Sequence, residues 1–78
     1  MKYGLVSTDY KNRLCYYGTI FISSSECYGW IDIHTPNLKG CMIFDSFGSA
    51  QLFMIGSNFS NVQIMTMDQM IISQIFNS

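Results

Sequence analysis

Residues 14–34, LCYYGTIFISSSECYGWIDIH, read as a long β-hairpin, and the rest of the chain arranges itself around it. The first arm, Arg13–Ile22, is dense in aromatic and β-branched residues, which suit a pleated surface. Leu14, Tyr16, Gly18, Ile20 and Ile22 fall on one side of it, and Cys15, Tyr17, Thr19 and Phe21 on the other. Apolar residues on both sides predict a strand buried on both faces, central in its sheet or barrel. Gly18, in its middle, predicts a bulge or sharp bend. Ser23-Ser24-Ser25-Glu26 supplies the turn. The second arm, Cys27–His34, alternates strictly: Ile31 and Ile33 point one way, Tyr28, Trp30, Asp32 and His34 the other.

Upstream, Lys2–Val6 reads as a short strand ended by the polar run from Ser7 to Asn12. Downstream, Thr35–Gly40 is a loop, in which Pro36 keeps Thr35 out of helical space and Gly40 is free to take positive φ. Cys41–Asp45 and Gln51–Ile55 read as two more short strands, parted by a turn at Ser46–Ser49, and Gly56–Asn61 as a second loop. The tail carries two signals. Val62, Ile64 and Thr66 alternate as in a strand, while Thr66 followed by Gln69 fits a capping box with Met67, Met70, Ile71 and Ile75 at helical spacing behind it. The reading taken is a strand at Val62–Met65 and a helix over Met67–Phe76. The expected fold is therefore mainly β: a small antiparallel sheet or barrel of five to six strands with a short C-terminal helix. Parallel βαβ units are excluded, because no gap between strands holds a crossover helix.

A chain of 78 residues sustains one hydrophobic core, so residues 1–78 are expected to form a single domain. Domains of this size bury only about 60% of their unfolded surface and usually add disulfides, a metal or a partner subunit. Composition favours the partner. The chain is 49% hydrophobic and 12% charged, against the usual charged share of about 25%. With so little charge to cover the surface, apolar area is left exposed, and such area marks interfaces, here a homo-oligomer or another protein. Lys2, Lys11, Arg13 and Lys39 stand against five acidic residues, for a net charge of −1, with no run of like sign. That balance excludes tight electrostatic binding to duplex nucleic acid and equally an acidic mimic of it. The odd set Cys15, Cys27 and Cys41, behind an N-terminus without a signal-type apolar run, implies free thiols in a reducing compartment: the cytoplasm of the protein's own cell or of a host. No stretch approaches the roughly 20 apolar residues of a membrane span, so no membrane partner is expected.

The row Tyr28, Trp30, Asp32, His34 is the candidate binding surface. Two aromatics one strand step apart form a platform for stacked bases, each contributing about 1–3 kcal/mol, or an anchor for another protein. The alternative is that this face packs under a helix or a neighbouring sheet. Gly18-Thr19-Ile20, followed by Cys27-Tyr28-Gly29-Trp30-Ile31, resembles the opening strands of a cold-shock domain. That resemblance implies a five-stranded barrel of the OB type, with Tyr28 and Trp30 stacking on single-stranded nucleic acid and Gly29 between them. It spans residues 18–31. Glu26-Cys27 stands where the family has Lys-Gly, and Met42-Ile43-Phe44-Asp45 only loosely echoes the family's second nucleic-acid motif and lacks its histidine.

Other chemistry finds little support in the sequence. Cys15, Cys27, His34 and Cys41 number four soft ligands, but none are paired at knuckle spacing, and no metal or cofactor is expected. No nucleophile-elbow motif, paired carboxylates or phosphate-binding glycine loop occurs, so no catalytic residues are assigned. Met67, Met70 and Ile71 are either core or a contact seam on the C-terminal helix. The function expected is that of a small non-catalytic protein that covers a surface on another protein, an inhibitor or accessory factor of the kind carried by phages and mobile elements. Its alternative is the single-strand binder that the cold-shock resemblance implies.

Overall fold

The β-hairpin forms, with a tighter turn than expected. In the computed structural model, which describes residues 1–9 and 11–76, strand β2 covers Leu14–Ile22 and β3 covers Ser25–Asp32. They run in unbroken antiparallel register from Ile22↔Ser25 to Cys15↔Asp32. Only Ser23 and Ser24 make the turn, both at left-handed φ (50° and 67°), the backbone that matches a two-residue connection to the strand twist. Strand β1 (Tyr3–Thr8) pairs with β2, and β4 (Gln63–Thr66) pairs with the far side of β1. The result is a four-stranded antiparallel sheet in the order β3-β2-β1-β4. It is open: of the expected sheet or barrel of five to six strands, the antiparallel sheet forms, with four strands.

Two of the expected strands are something else. Gln51–Ile55 lies inside helix α1, which spans Phe47–Ser57. Ser46, read as part of a turn, is its N-cap: the Ser46 side chain accepts the Ser49 N–H at 3.1 Å, satisfying a donor that the helix start leaves open. Asn58, at φ 57°, closes the other end in the left-handed conformation that C-caps favour. Cys41–Asp45 forms no strand but two isolated bridges, Gly18↔Cys41 and Tyr3↔Phe44. The cause is geometric. β1 pairs with β2 only from Val6 to Thr8, and where the two strands part, residues 40–44 fill the wedge. Thr19 N–H donates to the Gly40 carbonyl at 2.8 Å, Met42 N–H to that of Tyr17 at 3.0 Å, and Tyr3 and Phe44 exchange bonds at 2.9 and 2.8 Å. Gly18 is required here: a Cβ on it would lie 2.4 Å from the Gly40 oxygen.

The tail agrees with its reading. Helix α2 spans Met67–Phe76 and opens on a reciprocal capping box. Thr66 N–H donates to Gln69 Oε1 at 2.9 Å, and Gln69 N–H to Thr66 Oγ1 at 3.1 Å.

Alternation along the strands then sorts the sheet into two faces. Val6, Tyr16, Ile33 and Met70, all but inaccessible, form one core cluster with Leu38, and Leu14, Ile31, Cys41, Met65 and Met67 pack around it. This is the α2 face. Gly4 belongs to it, because Met70 Sδ occupies the space above that glycine. Two polar ties close its rim. Tyr16 Oη donates to the Lys39 carbonyl at 2.6 Å, and Gln74 Nε2 reaches the carbonyls of Ile33 and Thr35 at 2.7 and 3.0 Å. The opposite face holds Tyr3, Leu5, Tyr17, Tyr28 and Trp30, and α1 lies against it, with Leu5 and Ala50 fully buried and the rings of Tyr3 and Phe47 6.0 Å apart edge to face.

Candidate functional site

Tyr28, Trp30 and Asp32 share one face of β3, opposite Ile31, and His34 follows in the turn after the strand, so the expected row divides into two parts. Tyr28 and Trp30 belong to an aromatic cluster centred on Tyr17. The Tyr17 ring lies 5.9 Å from Tyr28 in a parallel stack, 5.2 Å from Trp30, 5.7 Å from Phe53 of α1 and 5.2 Å from Phe59 in the loop after α1. Trp30 also meets Phe59 at 5.7 Å, and Phe53 meets Phe44 at 5.4 Å. Tyr28 and Trp30 keep 56% and 39% of their surface, so they are the outer members of a packed cluster and not a bare platform. Neither Phe53 nor Phe59 could be assigned to this site from the sequence. The only available signal was their aromaticity, because Phe53 arrives on a helix that the pattern hides.

Asp32 and His34 form the second part. Asp32 Oδ1 accepts the His34 N–H at 2.8 Å and faces His34 Nδ1 at 3.0 Å. The His34 backbone N–H, followed by its ring, holds the Asp32 carboxyl below its ordinary pKa. Both side chains are exposed, and His34 sits in the turn that follows β3. Asn12, Arg13 and Leu14 line the cavity beside them.

Charge around the rings has the wrong sign for phosphate. Across the hairpin Tyr28 and Trp30 pair with Thr19 and Tyr17, and Glu26 and Asp32 flank them on the same face of β3, while the cavity of about 90 Å³ that Trp30 lines is shared with Ser7, Thr8, Asp9 and Cys15. Arg13 is bonded to Asp9 (Nε to Oδ2, 3.0 Å) and Lys2 to Asp45. The glutamate that departs from the cold-shock pattern, Glu26, is exposed on the edge strand.

The cysteines are three free thiols. Burial raises the pKa of Cys15, and pushes that of Cys41 up to about 11. A thiol so raised stays protonated at neutral pH and is a poor nucleophile or ligand. Among the described residues no cluster of three or more His, Cys, Asp or Glu side chains could hold a metal, and no helix is long and apolar enough to cross a membrane.

Of Met67, Met70 and Ile71, Met70 takes the core reading: it is fully buried against the sheet and fills the space above Gly4. Met67 is partly buried beside it, and only Ile71 stands at the surface. The larger apolar surface was missed. On α2, Ile72, Ile75 and Phe76 join Ile71 in the open, and on α1, Leu52 and Ile55 are largely exposed. The signal for the α2 group was legible as Ile71-Ile72 followed by Ile75-Phe76. α1 contains no charged residue, and Asp68 is the only one in α2. Phe21 and Ile22 add a third exposed pair at the hairpin tip.

Compared with protein-family models, with curated proteins and with solved structures, the chain matches none.

Proposed function

We propose that the protein is a non-catalytic binding protein that acts by laying its apolar helix surfaces on another protein, as an inhibitor or accessory factor. The observation that carries this reading is the outer face of α2, where Ile71, Ile72, Ile75 and Phe76 are exposed with Asp68 as the only charge on the helix. Side chains of this kind at i, i+1, i+4 and i+5 are how a helix anchors in a partner's groove. Leaving them in water has no structural return in a chain that buries so few residues. Patches of this kind mark interaction sites in small proteins.

The competing reading, a single-strand nucleic-acid binder, draws on the accessible Tyr28 and Trp30. It is the weaker one, because their rings are committed to Tyr17 and Phe59 and their surroundings carry carboxylates where phosphate needs cations. One titration separates the two. Mixed-sequence oligonucleotides added while Trp30 fluorescence is followed are expected to leave the signal flat. Saturable quenching that fades with salt and is absent in Trp30→Ala reverses the order. Affinity capture from the native cell or host is expected to recover one protein with the unaltered chain and to lose it with the double substitution Ile72→Lys and Ile75→Lys.

A further inference from the structure

The sheet ends on two unlike edges. Met67 N–H donates to the Lys2 carbonyl at 3.0 Å, which sets the phase of the β1–β4 ladder. Gln63 and Met65 bond inward, and Ile64 and Thr66 face out. The Thr66 N–H is taken by the Gln69 side chain, and α2 begins at the next residue, so this edge offers little beyond Ile64.

The β3 edge is open. Ile33 N–H donates to the Leu14 carbonyl at 3.0 Å, so Ser25, Cys27, Gly29 and Ile31 bond inward to β2, while Glu26, Tyr28 and Trp30 turn both N–H and C=O outward. No backbone bond from a described residue meets those groups. Asp32 ends the run, with its carbonyl accepting the Thr35 N–H at 3.0 Å. Exposed edges are normally protected by lysine, proline, a bulge or a covering element. β3 has eight residues without Pro or Lys, its register with β2 contains no bulge, and its two charges, Glu26 and Asp32, stand near its ends.

We infer that β3 pairs antiparallel with β3 of a second copy of this chain, across a two-fold axis at Tyr28, to make one continuous sheet. Self-pairing at this register sets Tyr28 opposite Tyr28 of the second copy and Glu26 opposite its Trp30. The outward N–H and C=O groups of Glu26, Tyr28 and Trp30 on both strands are then used. Moving the axis to Gly29 sets Glu26 opposite Asp32 of the second copy, and like charges directly opposed destabilise a ladder. Moving it to Trp30 leaves Glu26 unpaired. The β4 edge is too short to accept β3 head to tail, so assembly closes at two chains instead of growing into a filament.

This dimer goes beyond the binding role proposed above and does not use the helix surfaces. The test is sedimentation velocity of the full chain over a range of concentrations, beside Tyr28→Pro, Tyr28→Lys and Ile72→Lys. Proline at 28 removes an outward N–H and breaks no inward bond, and lysine there places like charges face to face. The unaltered chain and Ile72→Lys are expected at twice the mass of one chain. Both Tyr28 variants are expected at the mass of one, with unchanged far-ultraviolet circular dichroism. An unaltered chain that sediments as a monomer throughout overturns the proposal. So does a dimer that survives both Tyr28 variants, or one that Ile72→Lys dissolves. Partner capture is read separately, so the two proposals fail independently.

Discussion

The two faces of the sheet use apolar side chains in opposite ways. The α2 face is mostly aliphatic around Tyr16 and sealed: Val6, Tyr16, Ile33 and Met70 are all but inaccessible, and the rim is tied by Tyr16 and Gln74. The α1 face is aromatic and half covered, with Tyr17 at its centre and Tyr28 and Trp30 reaching water. The difference follows from the two helices. α2 has one face that fits the sheet, anchored by Met70. α1 is apolar nearly all round, so burying Ala50 and Phe53 leaves Leu52 and Ile55 outside. One face therefore holds the sealed core cluster, and the other, with the outer helix surfaces, leaves apolar side chains in water.

The widest separation between the faces is expected from Met70→Ala. It empties the centre of the sealed face and should cost about 2–5 kcal/mol, the range for truncating a buried methionine, measured by urea unfolding. Gly18→Ala comes next. Its Cβ meets the backbone of Gly40, which cannot swing aside as a side chain would, and the overpacking is expected to cost about 1–3 kcal/mol. On the aromatic face, Trp30→Ala should cost less than Met70→Ala, because the ring keeps 39% of its surface in the folded chain and its removal leaves no sealed cavity. A loss as large as that of Met70→Ala would erase the distinction between the faces. The smallest effect is one of pH. Cys41 holds its proton in the folded chain up to about 11, above the ordinary thiol value of 9.0. The folded state thus binds more protons than the unfolded state between those limits, and its stability falls as pH rises through them. The slope stays below the ~1.4 kcal/mol per pH unit that one proton can contribute, since Cys41 is only partly buried. Thermal midpoints from pH 9 to 11 should fall less steeply in Cys41→Ala than in the unaltered chain.

What the sequence disclosed was local. The β2–β3 hairpin, the inward Ile31 and Ile33, and the Thr66–Gln69 capping box each rest on residues close in the chain, and each formed. What it concealed depended on distant partners or on a missing period. Phe47–Ser57 contains two glycines and no polar stripe, so neither helical nor strand spacing stands out, and its N-cap Ser46 looks like a turn residue. Residues 41–44 have strand composition, but their pairing depends on the parting of β1 and β2, which no short window contains. That four strands form where five to six were expected has the same cause. At the candidate site, the shared side of Tyr28 and Trp30 was legible from alternation, whereas the arrival of Phe53 and Phe59 over Tyr17 was not.

The division between a face for stability and surfaces for contact is tested most directly by photo-crosslinking in the native cell. A photoreactive residue is placed in turn at position 72 on α2 and at the exposed loop position Ser60. The account predicts one discrete protein adduct from position 72 and none from position 60, with unfolding free energies within about 0.5 kcal/mol of the unaltered chain, as for surface substitutions. Absence of any adduct at position 72, or equal labelling from both positions, would contradict it.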